Sequence, residues 1–256
     1  MLIEINKGEY MKEFKTDTEK NYEKNMEKHL EYICESKSYT YIANNFAKYV
    51  KRQELSRFLF RHELFKKILH MKGSIIECGV HSGNGIMSWA QLTAILEPMG
   101  FFRRIFGFDT FSGFPSVHMN DLEGAEHSPK KGDLNEDCYD DLINVIKLFN
   151  QNRFLPQFEK VNLIKGDFLE TGEIFIQQNP HLLVALLYLD FDLYEPTKKA
   201  LEIFLPRMCK GSILGFDEIN NPLWPGETKA LLESLDIRQV QVKKFPYEPN
   251  MAYVVL

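Results

Sequence analysis

The chain has 256 residues, 44% of them hydrophobic and 26% charged, with a formal net charge of -5. This is the composition of a globular protein with room for one α/β domain and an appendage. It carries no general attraction to nucleic acid or to an anionic membrane.

The first residues, MLIEINKGEYMKEF, are charged too early for a signal peptide. No apolar run approaches the roughly 20 residues of a membrane span, so a cytoplasmic protein is expected. Cys34, Cys78, Cys138 and Cys209 form no CxxC pair and no disulfide framework; Cys78 and Cys209, in or beside apolar runs, read as reduced.

Residues 1–36 are rich in Lys, Glu and Asn, with Tyr22, Met26, Leu30 and Ile33 at helical spacing. A second helical stretch is predicted from about Tyr39 to His70. It carries enough large apolar residues to cap a sheet or to form a homodimer interface. The expected division is a helical extension over 1–70 and one domain over 71–256.

After Gly73 the pattern becomes α/β. SIIECGV is a strand, HSGNG a turn, and a helix runs from about Ile86 to Leu96. RIFGFDTF is the second strand, ending at Asp109. Residues 112–138 are polar and turn-rich, too long for an ordinary connection, and read as a functional loop. The helix DDLINVIKLFN precedes a third strand, VNLIKGDF. VALLYLDFD, nearly continuous in apolar residues, is predicted as a strand buried on both faces. The helix PTKKALEIFLPRM, the strand GSILGFDE and the helix PGETKALLESL follow, and VQVKKFPY with MAYVVL closes the chain as a hairpin. Alternating units of this kind imply a doubly wound, mostly parallel, seven-stranded Rossmann-like sheet.

In such sheets ligands bind at the carboxyl ends of the strands. The turn Glu77-Cys78-Gly79-Val80-His81-Ser82-Gly83-Asn84-Gly85 lies there. Its glycines let a backbone approach a ligand and aim helix-start amides at it. Their spacing fails the GxGxxG dinucleotide pattern. Asp109, closing the next strand, is placed for ribose hydroxyls. Turn and acid together suggest a nucleoside-bearing cofactor, of either the NAD or the S-adenosylmethionine kind. Asp167 closes strand three, beside an adenine or as a helix cap, the two readings being even.

Asp190, Asp192, Asp217 and Glu218 close two apolar strands. Carboxylates about 5 Å apart repel by about 3 kcal/mol at an effective dielectric near 20. Four together call for a cation or for protonation, and all-oxygen donors favour Mg²⁺ or another hard divalent ion. Asp190 and Asp192 point to one side of an extended chain, whereas adjacent Asp217 and Glu218 point to opposite faces unless the strand has turned.

ECGVHSGNG, GFDTFSGFP, KGDFLETG, LDFDLYEPTKKAL, GSILGFDE and WPGETKAL, in this order, resemble the macrocin O-methyltransferase (TylF-type) family over roughly residues 65–256. The resemblance implies a class I, S-adenosylmethionine-dependent enzyme that methylates sugar hydroxyls with the help of magnesium. Glu77, Gly79, Val80, Ser82 and Gly83 would hold the methionine part of the cofactor, with Asp190 nearby. Asp109 would hold the ribose, and Gly166, Asp167 and Phe168 would flank the adenine. Asp190, Asp217 and Glu218 would coordinate the metal, and Asp192 would be the general base. The family usually has two consecutive aspartates where this chain has Asp217-Glu218.

The expected substrate is a small-molecule sugar, and the expected assembly a homodimer or higher homo-oligomer without nucleic acid or membrane. A catechol or small-phenol O-methyltransferase and a non-catalytic nucleoside-binding module are the rival readings. His81, His118, His127, Trp224 and Tyr194 are lesser candidates for the acceptor pocket.

Overall fold

The computed structural model describes residues 16–123, 125 and 128–256; His127 lies outside them. The chain divides into two compact units, one ending at Ser56 and the other covering Arg57–Leu256. The division falls ahead of the boundary expected at 70.

In the first unit, helix α1 (Asp17–Ser36) starts at a capping box in which Thr16 and Glu19 satisfy each other's backbone N–H groups. None of its residues is buried. The single helix predicted over 39–70 is broken. Helix α2 (Tyr39–Asn44) ends where the Asn45 side-chain amide donates to the Tyr41 carbonyl, 2.8 Å away. Such side-chain bonding competes with the helical ladder. A 3-10 turn, Phe46–Lys48, intervenes before helix α3 (Arg52–Ile68) enters the second unit.

The second unit is built on a seven-stranded sheet of order β3-β2-β1-β4-β5-β7-β6. The strands are β1 (Ser74–Cys78), β2 (Ile105–Asp109), β3 (Val161–Lys165), β4 (Val184–Leu189), β5 (Met208–Phe216), β6 (Lys243–Phe245) and β7 (Glu248–Val255). β1 to β5 pair in parallel, and β7 runs antiparallel to β5 and β6. The predicted strands, their parallel pairing and the closing hairpin are all present.

β4 is buried along its whole length. After a register irregularity between Val184 and Leu186, its side chains alternate between two cores, as in a pleated strand covered on both sides. Ala185, Leu186 and Tyr188 pack with Phe60, Leu64, Phe65 and Ile68 of α3. Val184, Leu187 and Leu189 pack with Phe175 and Phe204 from the helices on the opposite face. The apolar residues of α3 thus belong to the core of the sheet unit, each worth roughly 2 kcal/mol of burial.

The remaining helices are α4 (Asn84–Leu96), α5 (Met119–Leu122), α6 (Tyr139–Gln151), α7 (Phe168–Gln178), α8 (Tyr194–Phe204) and α9 (Gly226–Ser234). The strand order reverses direction between β1 and β4, which opens a crevice at their carboxyl ends. No described helix is long and apolar enough to cross a membrane.

Candidate active site

β1 and β4 lie side by side, and the chains leaving them touch. The Asp190 N–H donates to the Cys78 carbonyl at 2.7 Å. Gly79 has φ 89°, and a Cβ there would stand 1.8 Å from the Asp190 carbonyl oxygen. Only glycine fits. Gly83 (φ 89°) then opens α4, and its N–H donates to the Val80 carbonyl at 2.9 Å. In this turn Val80 is buried, while His81 and Ser82 are exposed.

Asp109 braces that turn. Its Oδ2 accepts the N–H groups of Val80 and His81, both at 2.8 Å, and its Oδ1 accepts that of Phe111 at 2.7 Å. A carboxylate offers about four acceptor directions, so three are used by backbone. Gly166 (φ 139°) ties the end of β3 to β2 by donating to the Asp109 carbonyl at 2.9 Å. Asp167 caps α7, its Oδ1 accepting the Leu169 N–H at 3.0 Å. Phe168 is core: it is 3% exposed, its ring set among those of Phe108, Phe191 and Phe204.

Glu77 is 1% exposed and faces Gly85, where a Cβ would collide with its Oε1 at 1.8 Å. Its Oε2 has no hydrogen-bond partner. Burial pushes its carboxyl up to about 8 against the pull of Arg61. Arg61 is equally buried, its Nε and Nη1 unpartnered, and its guanidinium lies 5.3 Å from the centre of the Tyr188 ring.

The four acids read from the sequence are brought together. Leu189 pairs with Phe216, so Asp190 and Asp217 leave neighbouring strands side by side. Asp217 accepts the Tyr188 hydroxyl at 2.8 Å and Arg57 Nη2 at 3.2 Å. Asp192 stands at φ 61°, a left-handed backbone uncommon outside glycine. Glu218 accepts the Asn221 side-chain amide, and its own N–H donates to Glu227 Oε2 at 3.1 Å. Burial, with Asp217 close by, raises Glu218 to about 7. Asp190 and Asp192 are held well above the usual carboxylate range, first by burial and then by the surrounding acids.

A fifth acid completes the cluster. Glu227, in the first turn of α9, is fully buried, and its Oε1 has no partner. Burial, then Asp192 and Asp217, push it well up. An all-oxygen donor set with an unpartnered buried carboxylate oxygen fits the chemistry of a hard divalent cation. The side chains are not arranged as a closed set: among the described residues no three His, Cys, Asp or Glu converge as metal ligands. Arg57 is the cation in contact with Asp217.

Sequence reasoning missed Glu227, Arg57, Arg61, Tyr188 and Asp121. Glu227 reads in sequence as an ordinary first-turn acid. Arg57 and Arg61, four residues apart, lie on the side of α3 that carries Phe60, Leu64 and Phe65, but the helix holds other basic residues and its spacing alone does not single them out.

The long loop packs against the start of α8 and against α9. Its helix α5 carries Asp121, which is 2% exposed. Phe114 meets Trp224 edge-on, ring centres 6.0 Å apart, and His118 lies 5.1 Å from the Tyr194 ring.

A sheet of this order, with its crevice at the β1/β4 reversal, defines a class I methyltransferase. The profile of the macrocin-O-methyltransferase (TylF) family matches residues 62–231, and the chain belongs to this family. It is an S-adenosylmethionine-dependent O-methyltransferase. The calicheamicin methyltransferase CalS11 is similar, with 31% identity and a TM-score of 0.85 over 94% of this chain and 93% of that one. An apo structure of CalS11, described as a TDP-rhamnose 3'-O-methyltransferase, gives 29% identity and a TM-score of 0.78 over 94% and 95%. The O-methyltransferase NovP, at 18% identity and a TM-score of 0.57 over 78% of each chain, shares the fold. No curated protein matches the chain.

Proposed function

We propose that the protein is a divalent-metal-dependent O-methyltransferase that moves the methyl group of S-adenosylmethionine to a hydroxyl of a small sugar, such as a nucleotide-linked sugar. The observation that carries the metal is the mutually repelling carboxylate cluster at the ends of β4 and β5, in which Asp190, Asp192 and Glu218 are half-buried, Asp217 and Glu227 are buried, and a Glu227 oxygen is unpartnered. The similarity to CalS11, described as acting on TDP-rhamnose, supports the sugar.

Asp190, Asp217 and Glu218 would hold the cation. The turn from Glu77 through Gly79, Val80, Ser82 and Gly83 would hold the methionine part, with Asp109 at the ribose and Gly166, Asp167 and the peptide of Phe168 at the adenine. When bound, the cofactor supplies an electrophilic methyl and the cation lowers the pKa of the acceptor hydroxyl. Asp192 takes the hydroxyl proton as the oxygen attacks. Tyr188 and Arg57 fix the Asp217 carboxylate from two sides.

The test is methyl transfer from labelled cofactor to a panel of nucleotide sugars and catechols, before and after EDTA and again with added Mg²⁺. Transfer to sugars that EDTA stops and Mg²⁺ restores is expected. Transfer indifferent to EDTA removes the metal, and transfer to catechols alone replaces the sugar with a phenol.

A further inference from the structure

Helix α8 begins two residues after Asp192, and its capping position is Leu193, which offers no side-chain acceptor. The first N–H groups of a helix need partners from elsewhere. Asp121, far away in sequence on the long loop, supplies one: its Oδ1 accepts the Tyr194 N–H at 2.6 Å. Its Oδ2 accepts the N–H of His118 at 2.9 Å and so closes the cap of the loop's own helix. One buried carboxylate therefore bonds the loop and the turn that carries Asp192.

Two further contacts hold this junction. Gly226 leaves no space: a Cβ there would stand 2.4 Å from Asp121 Oδ1, 2.5 Å from the Tyr194 nitrogen and 2.9 Å from the Asp192 carbonyl oxygen. Lys229, on the same helix, donates to the carbonyls of Asn120 at 2.7 Å and Glu123 at 2.8 Å, at the end of α5. The loop is thus seated on α9 by Lys229 and on the start of α8 by Asp121.

We propose that Asp121 is a positioning residue: it couples the seated 112–123 segment to the left-handed turn at Asp192 and so sets where the Asp192 carboxylate points. This rests on the reading of Asp192 as the general base. The left-handed turn has a cost of its own, and such conformations persist only where their surroundings hold them. The bond to Tyr194 is that hold.

The test compares Asp121→Ala, Asp121→Asn and Lys229→Met with the wild-type enzyme, measuring kcat, acceptor KM and affinity for S-adenosylhomocysteine by calorimetry. Asp121→Ala is expected to lower kcat about a hundredfold, the scale of an ångström's misplacement. Acceptor KM should change much less and S-adenosylhomocysteine affinity not at all. Asp121→Asn keeps an acceptor for the Tyr194 N–H and should recover part of the loss. Lys229→Met, which loosens the same segment without touching Asp121, should lower kcat by a smaller factor, and it serves if Asp121→Ala does not fold. Wild-type kcat in Asp121→Ala overturns the proposal, as does a parallel loss of kcat and S-adenosylhomocysteine affinity. An Asp192→Asn enzyme that still turns over removes the underlying reading instead; a dead Asp192→Asn beside an unimpaired Asp121→Ala removes the positioning role alone.

Discussion

Arg103 and Glu227 are both charged and both buried, and they meet different treatment at opposite edges of one sheet. Arg103, before β2 at the amino-terminal edge, donates to Glu97 and to the carbonyls of Gly73, Ile68 and Met71 at 2.6–3.1 Å. Beside it Lys160 donates to the carbonyls of Gly100 and Arg103. At the carboxyl edge Glu227, Glu77 and Arg61 each keep a buried polar atom without a partner. The acids Glu77, Asp190, Asp192, Asp217, Glu218 and Glu227 share that edge with Arg57 and Arg61. A buried polar group left unbonded costs about 1–3 kcal/mol. Charge at the first edge ties the fold together. Charge at the second is left unsatisfied, at the edge to which the proposed chemistry is assigned.

The contrast is broken or sharpened by substitutions at each edge. The largest effect belongs to Asp192→Asn. Turnover should fall by about 10²–10⁴-fold, the usual worth of a general base, with S-adenosylhomocysteine affinity nearly unchanged. Thermal stability should hold, because one charge leaves a crowded acid cluster. A large loss of affinity in calorimetry would place Asp192 outside the base role.

Arg103→Met should show the reverse. Removing one partner of a buried, hydrogen-bonded ion pair costs about 3–5 kcal/mol, read as a lower urea midpoint. Methyl transfer per folded molecule should persist. A loss below about 1 kcal/mol would mean that this edge is no better held than an exposed ion pair.

The effect at Glu77 is read only as a dependence of stability on pH. Its carboxyl is raised from 4.5 in the ordinary state to about 8 in the fold. The folded protein therefore binds this proton more tightly than the unfolded chain does. Below pH 4.5 both states are protonated, and stability falls as pH rises from there through about 8. Glu77→Gln removes this term, so its Tm advantage over the wild type should be absent at low pH and grow across that window. A Tm difference independent of pH would mean that Glu77 stays charged against Arg61.

Much of the carboxyl edge was legible in the sequence because it is written locally. An apolar run long enough for a doubly covered strand, followed at once by Asp190 and Asp192, needs no distant residue to be read. The same holds for the Gly79–Gly85 turn and for Asp217. What escaped is long-range: Asp121 meets Tyr194 across 73 residues, and Arg57 meets Asp217 across 160. Glu227 escaped for another reason. Nothing in its local spacing distinguishes a helix-start acid in solvent from one sealed under a neighbouring strand. Asp167 shows a local signal with two meanings, and its cap of α7 is the meaning its contacts display.

The backbone at Asp192 also limits what can replace it over evolutionary time. Asp217 and Glu218 stand at ordinary negative φ, where one acid exchanges for the other at the cost of reach alone. At φ 61° the exchange is not symmetric. Asp and Asn tolerate the left-handed region through short polar side chains that bond locally, whereas other side chains lose roughly 1–2 kcal/mol there. A lineage descended from this chain has freedom to drift between acids at 218. At 192 the residues that fit the backbone are glycine, asparagine and aspartate, and of these only aspartate can accept a proton.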